Sequence, residues 1–235
     1  MHWFYAPEIN RGLYNFDQDE SKHITRVLRL KKDDKLFLTN GRGSLFSGKI
    51  LDDHPKKCVI DICEKVIELE KRPFGIHIAV APTKNVSRIE WFVEKATEFG
   101  IAKITLMQCD HSERMHINCD RLRKISIAAI KQSQQVWLPE IQPFTNFSEV
   151  IKNVSDGEGF IAFLDEEKNH AHLKHVYKTG SNATVLIGPE GDFSKTEIAE
   201  SLSAGFIPIS LGENRLRTET AALAACFTIN LINQK

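Results

Sequence analysis

Two glycine-rich loops near the carboxyl end of the chain constrain its fold more than any other feature. The first covers residues 187–193 and the second residues 211–221. Each follows a short apolar run that is typical of a buried strand, and each leads into a helix pattern. Strand ends that open into such turns are where α/β proteins bind ligands, because free backbone N–H groups converge there. The sequence therefore predicts an α/β domain with a ligand site at these loops.

Local signals mark the helix that follows each loop. Ser194 and Glu197 have the spacing of a capping box, in which each side chain satisfies one backbone N–H at the start of a helix. Residues 221–232 are strongly apolar and rich in helix formers. Two ordinary strand-to-helix connections would give a similar pattern. The succession of two such loops, with Glu190 and Glu219 beside them, favours a site.

The rest of the chain after Pro73 alternates between strand and helix patterns. In residues 85–99, apolar side chains recur on one helix face, and Gly100 is placed to end the helix. The strand patterns are residues 76–81, 103–107, 159–164, 183–187 and 206–211, and a further helix pattern covers residues 120–136. This alternation predicts a mostly parallel sheet covered by helices.

The first part of the chain has a different pattern. Several short strands separated by turns predict a small β-barrel, and the strand patterns are residues 2–5, 35–39, 44–51 and 58–66. Asp19 or Ser21 is expected to cap a helix that buries Ile24, Val27 and Leu28 on one face. The charged residues 66–72 are expected to link two domains, which we place at residues 1–70 and 73–235.

Composition excludes several classes of protein. The 235 residues are 42% hydrophobic, which is enough for a real core. The formal net charge is zero, so any nucleic-acid site must be a local basic patch. Five scattered cysteines form no CxxC pair, which argues against a zinc site or a disulfide framework. We therefore expect no metal. We also expect a cytoplasmic protein, since the sequence has neither a signal peptide nor a membrane-span pattern.

Three polar stretches allow two interpretations each. Arg26 and Arg29 are candidates for phosphate contacts, or else they belong to a solvated helix end. Residues 110–116, which include Arg114, form either an RNA-contacting loop or an ordinary exposed loop. The histidines at positions 170, 172 and 175 are close in sequence, yet no carboxylate or cysteine at ligand spacing completes a metal site, so a solvated surface is favoured.

The two loops contain specific motifs, which are Gly188-Pro189-Glu190-Gly191, Leu211-Gly212 and Leu216-Arg217-Thr218-Glu219-Thr220-Ala221. These motifs resemble those of the RsmE family, 16S ribosomal RNA uridine N3-methyltransferases of the SPOUT superfamily. The resemblance covers essentially the whole chain, and the loop motifs are its most specific part. Further matches are His23, Val27-Leu28-Arg29, Lys84, Lys95-Ala96-Thr97-Glu98, Gly100, Gln132-Ser133 and Pro139-Glu140.

The resemblance implies a fold and a set of partners. It implies a PUA-like β-barrel that docks RNA, followed by a SPOUT-type α/β domain whose parallel sheet ends in a trefoil knot built from the two loops. It also implies a homodimer, 16S rRNA of the small ribosomal subunit as partner, and S-adenosyl-L-methionine (SAM) as cofactor. The implied RNA-binding residues are Arg26, Arg29, Lys84, Arg114, Lys131 and Gln132.

The resemblance further implies which residues hold the cofactor and carry the chemistry. Arg217 and Glu219 are the expected catalytic residues: a carboxylate, Glu219 or Glu190, takes the uridine N3 proton, and Arg217 stabilises the resulting charge. Glu219 could instead be an acid favoured by the helix dipole. The expected cofactor-binding residues are Leu164, Ile187, Gly188, Pro189, Glu190, Gly191, Leu211, Gly212, Leu216, Arg217, Thr218, Thr220 and Ala221.

Two other functions stay open at this stage. A nucleotide- or NAD-dependent enzyme on an ordinary doubly wound sheet would need a GxGxxG fingerprint, which the sequence lacks. A non-catalytic RNA-binding or ribosome-assembly factor is suggested by Asn214 and Gln135, where many RsmE members have arginine. The intact run from Arg217 to Thr220 argues against this second alternative.

Overall fold

The chain divides into two compact units. The computed structural model describes residues 2–114, 116–154, 157–164 and 170–234. The first unit comprises Met1–Lys71 with Ile130–Leu138, and the second comprises Arg72–Ala129 with Pro139–Lys235. No sequence pattern indicated that residues 130–138 fold with the amino-terminal unit. Their backbone contacts explain it, because Gly43 N–H donates to Val136 O and Leu138 N–H donates to Gly41 O.

The first unit is built on a five-stranded sheet, counted over the described residues. Its strand order is β1-β3-β4-β5-β2, in which β1 and β3 are parallel and the other neighbours antiparallel. The strands are β1 Trp3–Tyr5, β2 Gly12–Asn15, β3 Lys35–Thr39, β4 Ser44–Asp52 and β5 Val59–Glu68. The core contains Phe4, Leu36, Leu38, Ile50 and Ile60. Four of these strands were predicted, whereas β2 is a short, mostly exposed edge strand whose sequence gives little signal.

The helix of the first unit differs from the prediction. Helix α1 (Gln18–Lys22) is capped by Asp17, whose carboxylate accepts the Glu20 N–H at 2.8 Å, so the predicted caps at Asp19 and Ser21 are wrong. The helix continues as a π-helical turn (His23–Val27). The wider π spacing changes which side chains share a face. Ile24 is buried as predicted, but Val27 is 68% exposed.

The second unit is an α/β layer structure around a parallel sheet. Six strands, counted over the described residues, lie in the order β11-β9-β10-β6-β7-β8, and every neighbouring pair is parallel, as predicted. The strands are β6 Ile76–Val80, β7 Lys103–Gln108, β8 Glu140–Asn146, β9 Glu158–Ala162, β10 Ala183–Ile187 and β11 Ile207–Ile209. The sequence did not predict β8, an edge strand with polar residues and with Pro143 at a register shift.

Helices pack against this sheet around a core that includes Ile78, Phe92, Phe160 and Ile229. The helices are α2 Val86–Glu98, α3 Cys119–Ser133, α4 Phe147–Lys152, α5 Leu173–Val176, α6 Lys195–Ser203 and α7 Thr218–Asn233. Gly100 follows α2 with φ 75°, the left-handed conformation that the predicted helix end requires. Among the described residues, none of the helices is long and apolar enough to cross a membrane.

A polar row crosses the amino-terminal side of the second sheet. The His77 ring bonds Thr184 Oγ1 through Nδ1 at 3.1 Å and Thr105 Oγ1 through Nε2 at 2.8 Å. Thr105 in turn donates to Gln142 Oε1 at 3.2 Å. Burial, with a smaller contribution from Lys103, lowers the pKa of His77 to about 3. His77 is therefore neutral at pH 7, and it lies at the opposite end of its strand from the glycine-rich loops.

Candidate functional site

The two glycine-rich loops meet at one edge of the parallel sheet. The first loop follows β10 and the second follows β11, and the carboxyl ends of parallel strands lie on the same side. The buried Thr218 hydroxyl donates to the Gly188 carbonyl oxygen at 3.1 Å. A side chain at the start of α7 thus ties the second loop to the first. Periodicity predicted both loops but could not predict this contact.

Neighbouring loops hold the first glycine-rich loop from the side. His111, which follows β7, donates from Nδ1 to the carbonyl oxygens of Gly191 and Asp192, at 3.2 and 3.0 Å. The Glu190 carboxylate accepts the Lys84 N–H at 3.0 Å. A Cβ on Gly191 would lie 3.3 Å from His111 Cβ, so the close approach of the two loops favours glycine there.

Two of the predicted RNA-binding residues lie beside this loop. Arg114 donates from Nε to Lys84 O at 3.1 Å, and the Lys84 ammonium lies 3.1 Å from the Glu113 carboxylate. On the other side, Leu164 N–H donates to Asp192 Oδ2 at 2.8 Å. Lys84, Arg114 and Leu164 therefore lie beside the first glycine-rich loop. The sequence patterns included Asp192 in this loop and His111 in residues 110–116, but they gave neither residue a role of its own.

The predicted capping box of α6 is present and extends into the neighbouring loop. Ser194 Oγ accepts the Glu197 N–H at 3.2 Å, and Glu197 Oε2 accepts the Ser194 N–H at 2.8 Å. Glu197 Oε1 also accepts the Asp110 N–H, and Ser194 Oγ donates to Asp110 Oδ2 at 2.6 Å. The box therefore fixes the helix start and the loop after β7 together.

The second loop leaves backbone accessible. Gly212 has φ 137°, and the position of its missing Cβ has no heavy atom within 4 Å. Leu211 and Leu216 are partly buried, whereas Arg217 and Thr220 are exposed. The Gly212 N–H donates to Ser210 Oγ at 3.2 Å. Open space thus borders a stretch of bare backbone beside the first turn of α7.

Glu219 is the most unusual group in the site. It lies in the first turn of α7 and is 7% exposed. Its Oε2 atom is buried and has no hydrogen-bond partner among the described residues. Its Oε1 atom lies 3.8 Å from Nε of Arg88, a residue on α2 that the sequence interpretation missed. Because a buried carboxylate oxygen without a donor is costly, its free lone pairs mark a place for a ligand group.

The remaining predicted RNA-binding residues belong to the first unit. Arg26, Arg29 and Gln132 are exposed. Lys131 pairs with Glu20 at 3.0 Å and lies 5.9 Å from the centroid of the Phe4 ring, and its side chain is mostly buried. These contacts connect Lys131 to α1 and β1 of the first unit.

The sequence favoured a solvated surface, rather than a metal site, for His170, His172 and His175. His172 caps the short helix α5 by accepting the Lys174 N–H at 3.1 Å. Within the described parts of the chain, no group of three or more His, Cys, Asp or Glu residues could hold a metal ion. The five cysteines are free thiols.

Comparison with known proteins places these features in a family. Residues 70–230 match the RNA methyltransferase domain, and residues 16–63 match the RNA methyltransferase PUA domain. The ribosomal RNA small subunit methyltransferase E of Buchnera aphidicola is 29% identical over 225 residues, which cover 93% of this chain and 88% of the relative. The chain belongs to the RsmE family of RNA methyltransferases. Its two-part fold is the SPOUT-type fold with a PUA-like amino-terminal domain that the RsmE resemblance implied.

Solved structures of RNA methyltransferases agree with this assignment. A probable rRNA-methyltransferase from Porphyromonas gingivalis is 40% identical, with a TM-score of 0.93 and coverage of 99% of this chain and 98% of that one. A methyltransferase structure from Legionella pneumophila, in complex with SAM, is 26% identical with a TM-score of 0.87 and coverage of 98% and 97%. The threading of the RsmE-type loops into a trefoil knot stays a prediction.

Proposed function

We propose that this RNA methyltransferase uses SAM to methylate N3 of a uridine in 16S rRNA of the small ribosomal subunit, in the cytoplasm. The observation that carries the proposal is the buried, unpartnered Oε2 of Glu219 beside two tethered glycine-rich loops. The relative named ribosomal RNA small subunit methyltransferase E supports the substrate class. The SAM-bound Legionella structure supports the cofactor.

The residues of the two loops fit a nucleoside cofactor. Open space faces Gly212, and the first loop is held by hydrogen bonds to neighbouring loops, through the Glu190 carboxylate and through backbone carbonyl oxygens that His111 contacts. The residues that would hold SAM are Leu164, Ile187, Gly188, Pro189, Glu190, Gly191, Leu211, Gly212, Leu216, Arg217, Thr218, Thr220 and Ala221. When bound, SAM supplies an activated methyl group on a positively charged sulfur. Backbone groups can grip a neutral adenine and ribose without charged side chains.

The chemistry assigned to this chain's side chains is proton removal and charge stabilisation. Uridine N3 carries a proton at neutral pH and must lose it before it can attack a methyl group. Glu219 Oε2 is the acceptor of that proton, since it has free lone pairs and lies in a water-poor environment. Arg217, which is exposed at the start of α7, stabilises the negative charge that spreads onto the base carbonyls.

Arg88 supports Glu219 from α2. Arg88 Nε lies 3.8 Å from Oε1 of Glu219, whereas the unpartnered oxygen is Oε2. At that distance the positive charge of Arg88 attracts the carboxylate of Glu219. Glu190, the other carboxylate considered as the base, is engaged by the Lys84 N–H and holds the loop instead.

We propose that each of the two units carries some of the RNA-binding residues. Lys84 and Arg114 lie at the rim of the site in the second unit. Arg26, Arg29 and Gln132 are exposed on the first unit, and together with Lys131 they complete the proposed RNA-binding set. A local basic surface is needed because the whole chain carries no net charge.

We also propose that two copies of the chain form a dimer through α7. Phe227 and Leu231 are 41% and 52% exposed, and Leu223 is partly buried four residues earlier. The spacing of four residues places all three on one helix face. The Phe227 ring packs on Phe99 with centroids 5.0 Å apart, which extends the apolar surface towards the end of α2.

The experiment that tests the proposed reaction compares 16S rRNA from a strain lacking this protein with rRNA from the same strain carrying the wild-type gene or Glu219→Gln. The rRNA is digested and its modified nucleosides are identified by mass and retention. We expect 3-methyluridine with the wild-type gene alone. The presence of 3-methyluridine in the deletion strain would contradict the proposed reaction. An equal amount of 3-methyluridine with Glu219→Gln and with the wild-type gene would contradict the role of Glu219 as proton acceptor.

A further inference from the structure

We propose that a polar cavity of the second unit, named here the acidic cavity, binds the guanidinium group of an arginine. The cavity has a volume of about 420 Å³ and lies between α4, α6 and the loop after β7. The inference goes beyond the proposed methylation and does not rest on it. The lining includes Gln108, Asp110, Asn146, Thr196, Glu197 and Glu200.

The acidic cavity is separate from the proposed cofactor site. None of its described lining residues belongs to the proposed cofactor-binding set. Asp110 and Ser112 line the cavity, whereas His111 between them contacts the first glycine-rich loop. The loop after β7 therefore contributes to both places through different side chains, and a ligand of the cavity can be studied without SAM.

The charge around the acidic cavity is negative. Its lining contains the carboxylates of Asp110, Glu197 and Glu200 and, among the described residues, no Lys, Arg or His. Glu197 and Glu200 are three positions apart on α6, where like charges repel each other. Burial, and after it the charges of Glu197 and Asp110, raise the pKa of the Cys109 thiol in the same lining. An anionic ligand would add to this repulsion, whereas a cation would relieve it.

Polar side chains of the acidic cavity are available to a ligand. Gln108 and Asn146 end the neighbouring strands β7 and β8, and they are paired in the register of the sheet. Asn146 also precedes α4, yet its side chain makes no capping bond. The side chains of Gln108, Asn146 and Glu200 have no hydrogen-bond or ion-pair partner among the described residues. Two amide oxygens and a free carboxylate thus border one space.

A guanidinium group is the cation that suits these acceptors. It is planar and has five N–H donors, so it can bond a carboxylate through two of them and neighbouring amide oxygens through others. An ammonium group concentrates its donors on one atom and is more strongly hydrated. The acceptors here are spread over α6, through Glu200, and over two strand ends, through Gln108 and Asn146. This spread favours guanidinium over ammonium.

The test titrates N-acetyl-L-arginine amide into the isotope-labelled full chain, without SAM, at about 0.15 M KCl to screen distant charges. NMR follows the side-chain amide signals of Gln108 and Asn146, which are assigned by their absence from Gln108→Glu and Asn146→Asp. We expect both signals to shift and to saturate. The citrulline counterpart has nearly the same shape without the charge and should cause no shift. The lysine counterpart should bind more weakly than the arginine derivative.

Glu200→Gln removes one charge from the lining while keeping the size of the side chain. It should weaken binding of the arginine derivative about two- to fivefold, the effect of an exposed ion pair. Glu149→Gln is the matched control, because Glu149 is an exposed carboxylate on α4 that does not line the cavity. It should bind like the wild type. Both variants should keep the wild-type Tm, since both residues are exposed.

Four results would overturn the inference. They are the absence of a saturable shift, equal shifts with the arginine and citrulline derivatives, tighter binding of the lysine derivative, and equal effects of Glu200→Gln and Glu149→Gln. Since the probes contain neither RNA nor SAM, any of these results would leave the proposed methylation intact. Loss of methylation activity would likewise leave the acidic cavity intact.

The source of the arginine is decided by a second comparison. L-arginine and a capped peptide with one arginine between glycines are titrated in the same way. Tighter binding of the peptide would assign the acidic cavity to an arginine side chain of a basic protein. Tighter binding of L-arginine would assign it to the free amino acid, and equal binding would show that the guanidinium group alone is recognised.

Discussion

The hydroxyl of Thr218 donates to the carbonyl oxygen of Gly188 at 3.1 Å, across thirty positions of the sequence. Thr218 begins α7, and Gly188 begins the loop after β10. Both groups are buried, so this bond has no competition from water. It joins the two segments that the RsmE family motifs identify, and it explains why a hydroxyl is suited to the first position of α7.

The first prediction concerns that bond. Thr218→Val keeps the size and branching of the side chain but removes the donor, leaving the Gly188 carbonyl oxygen without this partner. A hydrogen bond of this kind contributes about 0.5–1.5 kcal/mol, so we expect SAM affinity to fall about two- to tenfold. Isothermal titration calorimetry measures the change. Thr218→Ser, which retains the hydroxyl, should bind nearly as well as the wild type, and equal loss in both variants would argue against the bond.

The second prediction concerns Glu219. Glu219→Gln preserves shape but cannot accept the uridine N3 proton, so turnover should fall about 10²–10⁴-fold while SAM affinity stays within twofold. Single-turnover methyl transfer and calorimetry measure the two quantities. Glu213→Gln, at an exposed position on the same loop, is the matched control and should be fully active. Full turnover by Glu219→Gln would remove it as the proton acceptor.

The third prediction concerns the support that Arg88 gives to Glu219. Arg88→Met leaves a buried carboxylate without its nearby cation, so both Tm and turnover should decrease. Arg88→Lys keeps the charge and should restore most of the turnover. Thermal unfolding and methyl transfer are measured on the same preparations. Turnover that is equally low in both variants would mean that the charge of Arg88 is not what matters.

The fourth prediction concerns pH. The folded-state pKa of His77 is lowered to about 3, below the value near 6.5 expected in the unfolded chain. Acid therefore protonates the unfolded state first, and the contribution of His77 to stability is lost as pH falls from about 6.5 towards 3. Between pH 7 and pH 5 this group should lower the free energy of unfolding by about 2 kcal/mol.

Urea unfolding of a His77→Gln variant tests this assignment. The variant should be less stable than the wild type at pH 7, because its side chain cannot reproduce both threonine contacts. Its stability should also depend less steeply on pH between 7 and 5. His116→Gln, at an exposed position, is the control and should keep the wild-type dependence. An unchanged pH dependence in His77→Gln would contradict the assignment.

The fifth prediction concerns the proposed dimer. Leu231→Glu places a charge on the exposed apolar face of α7 and should shift the mass in light scattering towards the monomer at micromolar protein. Leu202→Glu alters a similarly exposed leucine on α6 and should leave the mass unchanged. A monomeric wild type would contradict the dimer directly.

Much of the fold could be predicted because local signals and tertiary structure agree. Strands β3 and β10 have the predicted bounds, and Ser194 and Glu197 form the predicted capping box. Strand β8 was missed because an edge strand with a proline carries little apolar pattern. Val27 was placed on the buried face because an α-helical period was assumed where the chain adopts a π-helical turn.

The site was only partly predictable for a related reason. Motifs identified the two loops, since glycines and a helix start leave a local signal. Arg88 was missed, and His111 was included only as part of residues 110–116, because their importance arises from contacts with residues that are distant in sequence. The membership of residues 130–138 in the first unit also depends on such contacts, including the Lys131–Glu20 ion pair. Single-sequence patterns do not encode which distant loops approach each other.

The most direct test is transfer of a labelled methyl group from SAM to small ribosomal subunits purified from a strain that lacks this protein, with naked 16S rRNA in parallel. We expect one 3-methyluridine per subunit, identified by mass and retention after digestion. A comparison of subunits with naked rRNA reports whether an assembled surface is required. Tight SAM binding without transfer to either substrate would contradict the proposed rRNA substrate, and the absence of both SAM binding and transfer would contradict the catalytic site itself.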